Sequence, residues 1–505
     1  TYYVGVTSGP DAGYGSVFSN ESFLDDPYIS GSKNMIGFYE IRVRSMQSLF
    51  FPQIANGSFG SVSFATSIML VNPTAEEITG RITFCDGDGG ALPVPTESGG
   101  DPSSIYWFRI PPLGNHVLKT DSAGPGITGY AKVEATGHIG GSVIFSEYDN
   151  TGVLMTEAAV GSSTPMDFFT FPVDITGDFN TGMAIANAAA AAPANIYLNL
   201  LDLHGTPVAS RNITLAEGQQ MAIYVSGLGQ LFPGVKNFRG SLEVLSDTPI
   251  PAVALRCSSG TMTTFPTVSM NQSFESVTLH FPQVVVGPAG TYRTTIVLTN
   301  PGYFPVSGTL SLSGKIQFRN SSGTILVPKP DSPPEGTAYD ITVPAKGALF
   351  LESTWTDTLL AGYAILNANH GLGGVVIFSQ FDATGRLLTE AAVPPAPISD
   401  EFLIFAQTDG GYNTGVALAN INPMDVQIGF QLHAECLPDG NMEGEPIGLE
   451  GGRHKAELIS GQDQLFPDFL GTGTLDVHCT TSIPAVALRL TATTMTAVPV
   501  IPIAK

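Results

Sequence analysis

The chain has 505 residues, of which 43% are hydrophobic and only 13% charged, with a formal net charge of −23. At roughly 100–200 residues per domain, that is several domains with ample core material. The acidic balance, with 21 Lys and Arg in total and no basic run, excludes a phosphate-neutralising nucleic-acid binder and electrostatic docking on anionic lipid.

Taken in chain order, the first element is an arm. Thr1-Tyr-Tyr-Val-Gly-Val6 reads as a strand, and Tyr39, Ile41 and Val43 alternate with Glu40, Arg42 and Arg44 as a second. Two strands over residues 1–50 have no core of their own. The arm is therefore expected to dock, either on its own chain or as a strand donated to a neighbouring copy. Tyr2, Tyr3, Val4 and Val6 would carry such an assembly strand.

From residue 51 the sequence repeats at two levels. Ser146–Val160 returns as Ser379–Val393, Phe179–Asn187 as Tyr412–Asn420, and Ile250–Arg256 identically as Ile483–Arg489, each 233 residues later. Phe51-Pro-Gln-Ile54 returns as Phe281-Pro-Gln-Val284. Each of these two modules is itself doubled: strand-like runs close on Asn72, Asn187, Asn300 and Asn420, and Gly129–Val133 matches Gly240–Val244. Four units follow, at 51–168, 169–278, 279–401 and 402–505. Within them Ile82–Phe84, Ile105–Phe108, Ile196–Leu200 and Phe430–Leu432 read as strands bounded by Asp-Gly, His-Gly and Asn-Pro turns. No long segment has helical period, and no run approaches the roughly 18 apolar residues of a membrane-spanning helix. The expectation is an all-β chain of four Ig-like antiparallel β-sandwiches, arranged as a rod or a compact tetrad.

Chemistry is sparse. There is no nucleophile elbow, zinc-protease helix motif or phosphate-binding loop. The eight histidines are scattered, and none repeats between modules. No catalytic residue, cofactor or resident metal is expected. Asp86-Gly-Asp88-Gly89 offers too few oxygens for Ca²⁺ and reads as a hairpin turn. Strand phase places Cys436 with Leu432, and Cys479 with Leu475 and Val477. A disulfide between them is the preferred reading, contributing roughly 3–4 kcal/mol. Free thiols are one alternative. A metal site from His433, Cys436, His478 and Cys479 is another, held back because adjacent residues on a strand face opposite sides. Cys85 and Cys257 lie in different units; a link between the first and second units is open to them, with buried free thiols the preferred reading. Two charges do repeat: Glu157 with Glu390, and Arg256 with Arg489. A charge kept inside an apolar phrase in both copies implies a buried partner, so these four are expected to lock the units of a module together.

The phrases Asn-Thr-Gly-x-Ala-x-Ala-Asn, Gln-Leu-Phe-Pro and Ile-Pro-Ala-Val-Ala-Leu-Arg resemble repeats of secreted, tandem Ig-like β-sandwich proteins of environmental bacteria, over residues 51–505. The resemblance implies export, with a leader removed before Thr1, and an extracellular or cell-surface role without membrane insertion. Asn20, Asn56, Asn212, Asn271 and Asn320 lie in glycosylation sequons. The preferred function is a non-enzymatic structural subunit of a filament, sheath or layer, polymerising through its arm. A monomeric adhesin or stalk binding cell-surface glycans is the alternative, and an accessory region of an extracellular hydrolase the third.

Overall fold

Strands form where apolar side chains take every second position. Ile78–Asp86 alternates buried and half-buried residues along its length, and Val426–His433 does the same. The computed structural model describes residues 2–8, 15–17, 39–188, 192–271, 275–437 and 440–503, and every regular element among them is a strand. All named strand pairs are antiparallel.

The pairing order repeats as the sequence does. In the first unit, Gln47–Phe59, Ile127–Ala135, Ile78–Asp86 and Ile105–Ile110 pair in that order. In the third, Val277–Val286, Leu360–Ala368, Val306–Leu312 and Thr337–Val343 follow the same order. The second and fourth units share another order, with Met166–Ile175 beside Phe238–Ile250 and Ile398–Gln407 beside Thr472–Leu490. The first strand of each unit begins a few residues before the boundary drawn from the repeats.

The strand-closing asparagines do the same task four times. Each is fully buried, and each donates its amide to backbone carbonyls of the adjoining loops. Asn72 serves Glu76, Ile110 and Pro111, and Asn300 serves Phe304, Val343 and Pro344. Asn187 serves Ala192, Leu215 and Ala216, and Asn420 serves Met424 and Leu449. A buried carbonyl without a donor is costly, so one side chain closing several of them explains the repeat.

The four cores are continuous with one another in a closed cycle. The first unit's core takes in Ala184, Val253 and Met262 of the second. The second takes in Val297, Phe350 and Ile377 of the third. The third takes in Ala417, Val486 and Met495 of the fourth, and the fourth takes in Met69, Val71 and Ile144 of the first. Four short strands meet on the axis of this ring: Leu154–Gly161, Met262–Phe265, Leu387–Val393 and Met495–Val498, each touching the next. This closed cycle of four cores excludes the rod.

The arm builds a sheet of its own. Tyr2–Ser8 is its middle strand, flanked by Gly15–Val17 and Tyr39–Ser45. Tyr2, Tyr3, Val4 and Val6 therefore lie on a strand whose backbone already pairs within the chain, and Tyr39–Ser45 forms one edge among the described residues.

Candidate functional site

The repeated charges converge on the axis. Glu157 and Glu390 sit on axial strands, each accepting a hydrogen bond from the serine opposite, Ser146 at 2.6 Å and Ser379 at 2.7 Å. Their ion-pair partners come from the other module. Arg489 Nη1 lies 2.8 and 2.9 Å from the Glu157 carboxylate oxygens, and Arg256 pairs with Glu390. The four charges thus tie the fourth unit to the first and the second to the third, rather than joining the units of one module. Glu157 is wholly buried and Arg489 is 3% exposed. Each guanidinium also stacks on the ring that opens the repeated Asn-Thr-Gly phrase: Arg256 at 3.2 Å from the Phe179 centroid, Arg489 at 3.4 Å from Tyr412.

Around the axis the strands exchange backbone for side-chain bonds. The amide of Met262 donates to Thr156 Oγ1 at 3.1 Å, and the amide of Met495 to Thr389 Oγ1 at 3.2 Å. Ala159 N donates to Thr496 Oγ1 at 2.8 Å, crossing from the first unit to the fourth.

The two seams that join modules differ in one instructive way. Between the second and third units, Asp174 accepts from Arg256 at 3.0 Å and Arg239 at 3.2 Å, and Arg239 continues to Glu352 at 2.9 Å. Burial works to raise the Asp174 carboxyl, but the two arginines outweigh it and hold the group below the ordinary carboxylate range. Arg293 and Arg319 also reach Glu352, and Arg293 stacks on Trp355, which meets Phe381 edge to face. Between the fourth and first units, Gln407 stands where Asp174 does and bonds Arg489 at 2.9 Å. Lys119 stands for Glu352, Tyr148 for Phe381 and Thr472 for Arg239. That seam opens into a cleft of about 850 Å³ lined by Lys119, Tyr148, Val153, Gln407 and Tyr412 among others.

All four cysteines are free thiols. Cys436 lies in the turn after Val426–His433 and is exposed, so strand phase does not carry as far as its side chain. Cys479 is half-buried against the core of the fourth unit, and burial pushes its thiol up to about 12. The expected disulfide is thus corrected to two separate thiols. Burial likewise pushes Cys257 up to about 12 and raises Cys85. Asp86 accepts from the amides of Asp88 and Gly90, capping the hairpin turn expected there. Asn56 is buried and bonded to the Ala123 carbonyl, which leaves no room for a glycan, whereas Asn271 is exposed; Asn20 lies outside the described residues.

One cluster was only half visible to sequence reasoning. Ligand atoms of Glu401, Asp476 and His478 lie within 4.8 Å of one another, with His433 beside them. They come from three strands; His433 and His478 belonged to the four-residue metal site weighed from the sequence, whereas Glu401 and Asp476 did not. No protein-family model matches the chain, and no curated protein matches it either.

Proposed function

We propose that the chain is a non-enzymatic extracellular structural protein: a rigid block of four Ig-like β-sandwiches closed like the blades of a four-blade propeller. In this reading the block is a subunit of a surface filament, sheath or layer, and the arm joins one copy to the next. The observation that carries it is the fate of the repeated charges. Glu157 and Glu390, the carboxylates best placed for acid–base work, are buried and committed to arginines, so their repetition serves closure of the ring. The resemblance to secreted tandem sandwiches agrees with this role, as does a low charge content suited to subunit contact. Because Val4–Val6 is paired on both sides, the strand offered to a neighbour is Tyr39–Ser45, at the edge of the sheet among the described residues.

The glycan-binding alternative gains one specific support, the cleft at the fourth–first seam, where two tyrosines and Lys119 face a space that a saccharide could enter. The two readings separate in one comparison. The full chain and a version lacking residues 1–45 are examined by light scattering and negative-stain electron microscopy. Large assemblies from the full chain only, with the shorter chain a folded monomer, is the expected result. Monomers from both would end the filament reading and leave the cleft as the leading site.

A further inference from the structure

We propose that Glu401, Asp476 and His478, with His433 beside Asp476, form a binding site for a divalent transition-metal ion of the zinc class on the fourth unit, where it meets the first. The register brings them together. Glu401 on Ile398–Gln407 lies opposite His478 on Thr472–Leu490, Asp476 lies two residues before His478, and His433 ends the next strand opposite Thr474. Residues two apart on one strand share a face, and directly opposed residues share it too.

The distances favour an ion over hydrogen bonds. His478 Nε2 and His433 Nε2 lie 3.5 and 3.6 Å from Asp476 Oδ2, and His478 Nδ1 lies 3.5 Å from Glu401 Oε1. These separations exceed the ~2.7–3.2 Å of an N–H···O bond. They suit neighbouring ligands on one tetrahedral ion with bonds of about 2.0–2.2 Å, whose edges are about 3.4 Å. Glu401 brings a second carboxylate within ligand distance of the His478 imidazole. Imidazole with carboxylate suits zinc, nickel or cobalt better than calcium or magnesium.

Independent of geometry, the site holds unmet polar groups. Asp476 is only 2% exposed, yet its Oδ1 has no hydrogen-bond partner, and neither does the buried Nε2 of His433. The equivalent position in the second unit shows what is missing. There the buried carboxylate is Glu243, bonded by Lys346 at 2.6 Å and by Asn199 at 3.1 Å. The residue equivalent to Lys346 is Leu113, and both hold φ at 55°. Leu201, Leu245 and Phe168 stand where the fourth unit has His433, His478 and Glu401. The fourth unit therefore lacks the lysine that neutralises the carboxylate of the second and has two imidazoles near it instead. A bound cation restores the charge that a buried carboxylate requires.

The test uses the full chain, stripped with chelator, then titrated with Zn²⁺ by calorimetry and with Co²⁺ by visible absorption. One equivalent of Zn²⁺ is expected, with a rise in the thermal midpoint, and Co²⁺ is expected to show d–d bands of low coordination number. His478→Ala changes a half-exposed side chain, and His433→Ala joined to it should weaken binding at least a hundredfold while the metal-free midpoint changes little. Glu401→Gln, which replaces a ligand carboxylate with an amide, should weaken it at least tenfold. Absence of saturable binding to the full chain overturns the proposal. So does binding kept at full affinity in the double variant, which would place the ion elsewhere.

Discussion

Glu157 shows how much one side chain can decide. It is buried, accepts from Ser146, and meets Arg489 through both carboxylate oxygens. A buried pair contributes little over an apolar replacement, but removing one partner strands a charge in the core. Arg489→Ala is therefore expected to lower unfolding stability by about 3–5 kcal/mol in a denaturant titration. Arg489→Met combined with Glu157→Leu should cost less than the single change. Equal and additive losses would show that the two do not act as a pair. The repetition of these charges was readable in the sequence, as was the need for a buried partner. Which arginine each glutamate takes was not, because both modules carry the same phrase.

At the scale of elements, the within-module seams are built from corresponding strands with different polar tips. Gln220 donates to Gln53 Oε1 at 2.7 Å between the first and second units, and His454 meets Gln283 in the same way between the third and fourth. Burial pushes the His454 imidazole down to about 4. In the unfolded chain it titrates near 6.5, so between about pH 4 and 6.5 the unfolded state binds more protons. Stability from this group is thus complete above about pH 6.5 and falls as the pH drops toward 4, by on the order of 3 kcal/mol. His454→Gln copies the sister seam and should flatten that part of the stability–pH curve. An unchanged slope would mean that another group sets it; His116 and His280, both lowered by burial, would then be the next to replace.

At the scale of the whole molecule, shared cores make the four units interdependent. No unit keeps its apolar cluster without side chains from the next. Calorimetry of the full chain should show one cooperative transition for the body, and Arg489→Ala should move all of it. Separate transitions for individual units would mean that the seams contribute little. The cleft and the histidine–carboxylate cluster both belong to parts of the ring where the two copies of the repeat differ.

Strands, turns, the two-level repeat and the four units come from local pattern, since alternation and turn residues act over a few neighbours. Those features were legible in the amino-acid sequence alone. Closure of the ring, the cross-module pairing of Glu157 with Arg489, the thiol state of Cys436 and the meeting of His433, Asp476, His478 and Glu401 were decided by tertiary structure. Each depends on which faces lie against each other across long stretches of chain. A repeated phrase is equally compatible with a partner in its own module or in the other one, and only packing selects between them.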